Sequence, residues 1–86
     1  MDPLAAFRDD FVRRLPSDIG VLRATSAARP SQEAIYAVHR IASMAAMLGY
    51  EAIGELALAM DDHAGETGGF AENDLSMLIQ ALEAIA

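Results

Sequence analysis

The spacing of the apolar residues, in steps of three and four along nearly the whole chain, constrains the fold more than any other feature. Leu4, Phe7, Phe11, Leu15, Ile19 and Leu22 hold one helical phase, because such steps drift little at about 100° per residue. The phase runs straight through Pro16, which predicts one long first helix, kinked at the proline. The alternative is two helices, with Pro16 in a first turn where its missing N–H costs nothing; Gly20 weakens both versions. The segment SAARPS at 26–31 carries breaker chemistry, Ser31 suits an N-cap, and Gly49 suits a left-handed C-cap, so a second helix is expected over about 31–48. Its stripe, Ala34, Val38, Ile41, Ala45 and Leu48, has the four-three-four-three spacing of a bundle seam. A third helix over about 51–63 aligns Ile53, Leu56, Ala57 and Met60 and ends in the loop GETGG at 65–69. A fourth over about 73–85 aligns Leu75, Leu78, Ile79, Leu82 and Ile85.

Four amphipathic helices with short connections bury their stripes most simply against one another. The expected fold is all-α, an antiparallel up-down four-helix bundle forming a single domain over residues 1–86. Composition agrees, since 53% of residues are hydrophobic but only 6% aromatic, which suits closely packed helices better than strands. The absence of cysteine removes disulfides and thiolate zinc sites, and two histidines are too few for a histidine-only metal cage. Thirteen acids stand against six arginines and no lysine, a net charge of −7 that repels phosphate backbones and anionic lipid, so neither nucleic acid nor a membrane is an expected partner. The N-terminus MDPLAAFRDDF lacks a basic start with an unbroken apolar run, and no stretch approaches the ~20 apolar residues of a membrane span. A cytoplasmic location is the expectation.

One histidine stands out by position. With Ile41 as zero, the stripe of the second helix lies between about −20° and +60°, and His39 falls near 160°, pointing away from the core. Ile35, Tyr36, Ala42, Ser43, Ala46 and Met47 share its outward side, an apolar, uncharged face in a very acidic chain. An 86-residue bundle cannot bury every side of one helix by itself, so this face implies a partner. The small residues Ala42, Ser43 and Ala46 clear space for another protein to approach the imidazole; the plainer reading is a solvated surface histidine. Arg40 lies about 100° round from His39 and reads as an exposed surface charge. His63, among Asp61, Asp62 and Glu66, reads as a helix-terminal histidine interacting with helix carbonyls and nearby carboxylates. The segment GETGGF lacks the basic residue and strand context of a phosphate-binding loop.

The stretch AVHRIASMAAMLGY at 37–50, followed by EAIGELALAMDD, resembles the histidine-containing phosphotransfer (HPt) domain of bacterial phosphorelays. That family's motif is a histidine, an aliphatic residue two positions on, lysine or arginine at three, glycine at four, small residues after it and a glycine at ten. His39, Ile41, Ala45 and Gly49 match in register, and FVRRLPSDIGVLRAT resembles the family's preceding helix, so the likeness runs from Phe7 to Asp62. Two positions depart: Ala42 stands at the basic position and Ser43 at the first glycine.

The resemblance implies that His39 is a phosphoacceptor, taking a phosphoryl group from a receiver-domain aspartate and passing it to another receiver. It implies a phosphocarrier without its own turnover and with no cofactor, the magnesium being the receiver's. Imidazole in water is mostly neutral at pH 7, as a nucleophile must be, and phosphoryl transfer is mostly positioning and charge stabilisation. Ser43 would hydrogen-bond a phosphoryl oxygen or, equally, its own helix carbonyl. Ile35, Tyr36, Arg40, Ala42, Ala46 and Met47 would form the docking face for response-regulator receiver domains. A hybrid sensor kinase and a homodimer remain open as further partners. The rival expectation is a non-catalytic interaction module that keeps the bundle and uses the same face for a homodimer or a partner helix, with His39 incidental; Ala42 is its best support.

Overall fold

A computed structural model describes residues 2–86, which form four helices and no strand: α1 (Ala5–Ala24), α2 (Gln32–Met44), α3 (Glu51–Thr67) and α4 (Glu72–Glu83). Each helix packs against the next and α4 returns to α1, with no close backbone approach across the diagonals, and the four stripes meet in one four-helix core. The α2–α3 pair is the most extensive contact. Among the described residues, no helix is long and apolar enough to cross a membrane.

The chain passes through Pro16 without a break. Pro16 is exposed, so the i−4 carbonyl it deprives of a donor lies on the solvent side, where the loss is cheapest. Phe11, Leu15, Ile19 and Leu22 are buried as expected. The stripe fails at its start: Phe7 is 56% exposed and Leu4 only half-buried. There the chain is tied locally instead, as the Asp2 carboxylate accepts from the Leu4 N–H at 2.9 Å and pairs with Arg8 at 2.9 Å. Arg8 Nε in turn donates to the Leu48 carbonyl at 3.3 Å, joining α1 to the end of the second stripe. The Arg8 guanidinium, with help from the Leu4 N–H, holds the Asp2 carboxyl below its ordinary range.

Ser31 caps α2, its hydroxyl accepting from the Ala34 N–H at 3.1 Å. Regular helix ends at Met44, four residues short of the expected boundary. Residues 45–49 continue as tight turns with mixed three- and four-residue bonds (Leu48 N–H to the Ala45 and Met44 carbonyls at 3.1 and 3.2 Å). The seam survives this change, because Ala34, Val38, Ile41, Ala45 and Leu48 are all buried. Gly49 then turns the chain with φ 98°, where an L side chain would be strained.

The helix α3 runs to Thr67, four residues beyond expectation. Gly65 weakens a helix without ending it; Gly68, at φ 83°, ends it, its N–H bonding the Ala64 carbonyl at 2.8 Å. The expected GETGG loop is therefore helical in its first half. Gly69 is needed for space, because a Cβ there would sit 2.7 Å from the Ala28 carbonyl oxygen. That closeness lets Phe70 donate its N–H to the Ala27 carbonyl at 2.7 Å and bury its ring, locking the α3–α4 loop onto the α1–α2 loop. Phe70 follows no helical period, so the sequence stripes miss this core residue. In α4, Leu75, Leu78 and Leu82 are buried with Ile79 half-buried beside them, and Ile85, just past the helix end at Glu83, is half-buried as well.

Candidate functional site

The His39 side chain projects from the outer side of α2 and is 64% exposed. Its face is less neutral than the second helix alone suggests, because Asp61 reaches it from α3, with Oδ2 2.9 Å from His39 Nδ1. Antiparallel packing about the Gly49–Tyr50 turn makes this pairing: residues equidistant from the turn lie level, so His39 meets Asp61 as Ala46 meets Gly54. The helices approach closely at the second pair, where a Cβ on Gly54 would stand 3.0 Å from the Ala46 Cβ. A short aspartate can therefore bridge the gap.

The carboxylate decides what the imidazole offers. A neutral imidazole donates Nδ1–H to Asp61, and the Nε2 lone pair is then directed to solvent. Asp61 keeps only 23% of its side chain exposed, which shields this contact in part from water.

Ser43 takes the plainer of its two expected roles here, donating Oγ–H to the His39 carbonyl at 3.0 Å. Tyr36 and Met47 are 67% and 55% exposed, and Ala46 is exposed as well. Ile35 and Ala42 are half-buried against the core on the flank toward α3. Leu58, absent from the sequence reading, is 53% exposed on the α3 side of the same surface.

The structure corrects the expectation of an exposed Arg40. Its side chain is 16% exposed, and its guanidinium pairs with Asp18 of α1, itself 8% exposed. Arg40 Nε and Asp18 Oδ2 have no hydrogen-bond partner among the described residues. Arg40 thus faces the α1–α2 seam, away from the docking face, and pins the rotation of α2 that leaves His39 outside. The expectation for His63 also changes: it lies inside α3 rather than at its end, and among the described residues no carboxylate is within ion-pair distance of its ring. Its backbone carbonyl accepts from the Thr67 hydroxyl at 2.9 Å.

The site is an open helix surface, with no pocket among the described residues. Nor is any group of three or more His, Asp or Glu side chains among them placed to hold a metal ion. Asp61 was legible only through hairpin arithmetic, since residues 39 and 61 mirror each other across residue 50. Asp18 and Arg40 lacked even that signal, because an acid within an apolar stripe does not name its partner.

The family model described as the Hpt domain matches residues 6–85. No curated protein and no solved structure matches the chain.

Proposed function

Because this chain belongs to the Hpt domain family, whose members are phosphocarrier modules of phosphorelays, we propose that it takes a phosphoryl group onto Nε2 of His39 from the aspartyl phosphate of one receiver domain and yields it to a second. The observation that carries this reading is the exposed imidazole whose Nδ1 is held by Asp61 at 2.9 Å, leaving Nε2 free. In the forward step the Nε2 lone pair forms the N–P bond. The P–O bond to the donor aspartate breaks, and its electron pair leaves with that carboxylate. The Nδ1 proton stays in the hydrogen bond to Asp61, which offsets the positive charge the ring gains. The reverse sequence, on another receiver's aspartate, discharges the ring. Magnesium belongs to the receiver, and Tyr36, Ala46 and Met47 form the apolar surface against which the receiver rests. Relays of this kind place the protein in the cytoplasm.

The experiment is incubation with purified receiver domains charged with acetyl phosphate, followed by mass spectrometry under alkaline conditions that preserve phosphohistidine. Label on wild type and on His63→Gln, with none on His39→Gln, is the expected result; label retained by His39→Gln refutes the assignment. A second reading has one observation in its favour. Ala42 supplies no cation beside His39, as a non-catalytic docking module would tolerate. Stable binding of an uncharged receiver, without transfer from the charged one, would favour that reading.

A further inference from the structure

Charge is divided unevenly along this chain. Residues 1–50 hold all six arginines together with Asp2, Asp9, Asp10, Asp18 and Glu33, and are close to neutral. Residues 51–86 hold eight acids and no arginine or lysine. Half of those acids form a row on α3. Gly54 and Asp61 mark the edge that meets α2. At about 100° per residue, Glu51, Glu55, Asp62 and Glu66 fall on the next strip outward, spanning about 22 Å. All four are exposed or partly exposed, and Leu58, also exposed, lies between that row and His39. The surface around the imidazole therefore has an apolar middle (Leu58, Tyr36, Met47) and one anionic edge.

Among the described residues, no arginine forms an ion pair with that edge. Arg40 is turned to Asp18, position 42 is alanine, and α3 and α4 contain no arginine or lysine. A phosphoryl group carrying about two negative charges would approach His39 beside Asp61 with nothing here to offset the repulsion. Another copy of this chain on the same surface would set carboxylates against carboxylates. The complementary occupant is a cationic one.

We infer that the receiver serving His39 docks with a basic edge along α3, its lysines or arginines pairing with Glu51, Glu55, Asp62 and Glu66 while its apolar centre covers Leu58, Tyr36 and Met47. This rests on the assignment of His39 as phosphoacceptor. Single-sign rims of this kind act mainly on encounter, raising the association rate at low salt and fading as salt screens them. They also select among receivers, since an acidic edge in the same place is rejected.

The test uses a receiver that charges wild-type His39 from acetyl phosphate, and measures the second-order transfer rate at low salt and at about 0.5 M salt, where the screening length falls below about 5 Å. Wild-type transfer should slow at least about tenfold over this range. Glu55→Lys/Asp62→Lys should be at least about tenfold slower than wild type at low salt, and within about twofold at high salt. Asp9→Lys/Glu72→Lys makes the same change in net charge on other faces and should stay within about twofold throughout. Glu55→Gln/Asp62→Asn, with helicity checked by circular dichroism, provides a milder version should the reversals disturb folding. A wild-type rate indifferent to salt, or equal slowing by both pairs of reversals, overturns the docking proposal while leaving His39 in place. Failure of every charged receiver to label wild type overturns the His39 assignment, and this inference with it.

Discussion

Removing Arg40 should be costly, and removing its partner as well should restore most of the loss. The Arg40 side chain is 16% exposed and that of Asp18 8%, and Asp18 Oδ2 has no donor at all. Arg40→Met keeps the aliphatic stem between α1 and α2 but strands a buried carboxylate, a situation that costs about 3–5 kcal/mol. The lower half of that range is expected, because Arg40 lies near the surface and water can reach Asp18 once the guanidinium is gone. For 86 residues, total stability at roughly 0.05–0.15 kcal/mol per residue is about 4–13 kcal/mol, so this one change removes a large fraction. Replacing both partners with apolar residues, as in Asp18→Leu/Arg40→Met, should return to within about 1 kcal/mol of wild type, since neither charge then has to be desolvated. Urea unfolding followed by circular dichroism measures both. With a slope near 1 kcal/mol per molar for so small a chain, the single variant should lower the midpoint by about 3 M. A loss below about 1 kcal/mol for Arg40→Met, or a double variant no better than the single, would mean that water screens the Arg40–Asp18 contact as it does an exposed ion pair.

Asp61→Ala should cost about 1 kcal/mol of preference for the Nδ1–H tautomer, the value of a half-exposed hydrogen bond discounted for solvent. Transfer should slow about fivefold, and nitrogen-15 NMR of the His39 ring should move toward the opposite tautomer; an unchanged ring spectrum contradicts the role given to Asp61. Ala42→Lys places a flexible cation one turn from His39, with its stem lying along the half-buried flank. Stopped-flow transfer should be about tenfold faster, with the gain shrinking as salt rises, and an equal or slower rate means that the phosphoryl group is misplaced. Ala46→Glu puts a charge into the docking surface beside Gly54 and should weaken receiver binding by about 2 kcal/mol with little change in melting temperature. Normal binding with a collapsed melting temperature would show instead that this face is core.

Periodicity and N-capping are local properties, and apart from Leu4 and Phe7 at the start of the first stripe they carry over into three dimensions. Each stripe residue from Ala34 to Leu48 is buried, Ser31 caps α2, Gly49 takes the left-handed conformation although α2 itself ends at Met44, and the stretch from Ala37 to Tyr50 resembles the family that the match over residues 6–85 then shows. Helix ends were less legible because several residues compete for each stop. Gly65 is passed over and Gly68 taken, since only the latter can adopt the left-handed turn while Phe70 docks on the neighbouring loop. Contacts that depend on interhelical distance and rotation follow from packing and have no local signal. Asp61 reaches His39 because Gly54 lets α3 close onto α2, and Arg40 turns inward because Asp18 waits in the α1 stripe. A sequence records which face each residue occupies on its own helix. Which charge on a neighbouring helix comes level with it is settled only when the core packs and fixes how far apart, and in what register, the helices lie.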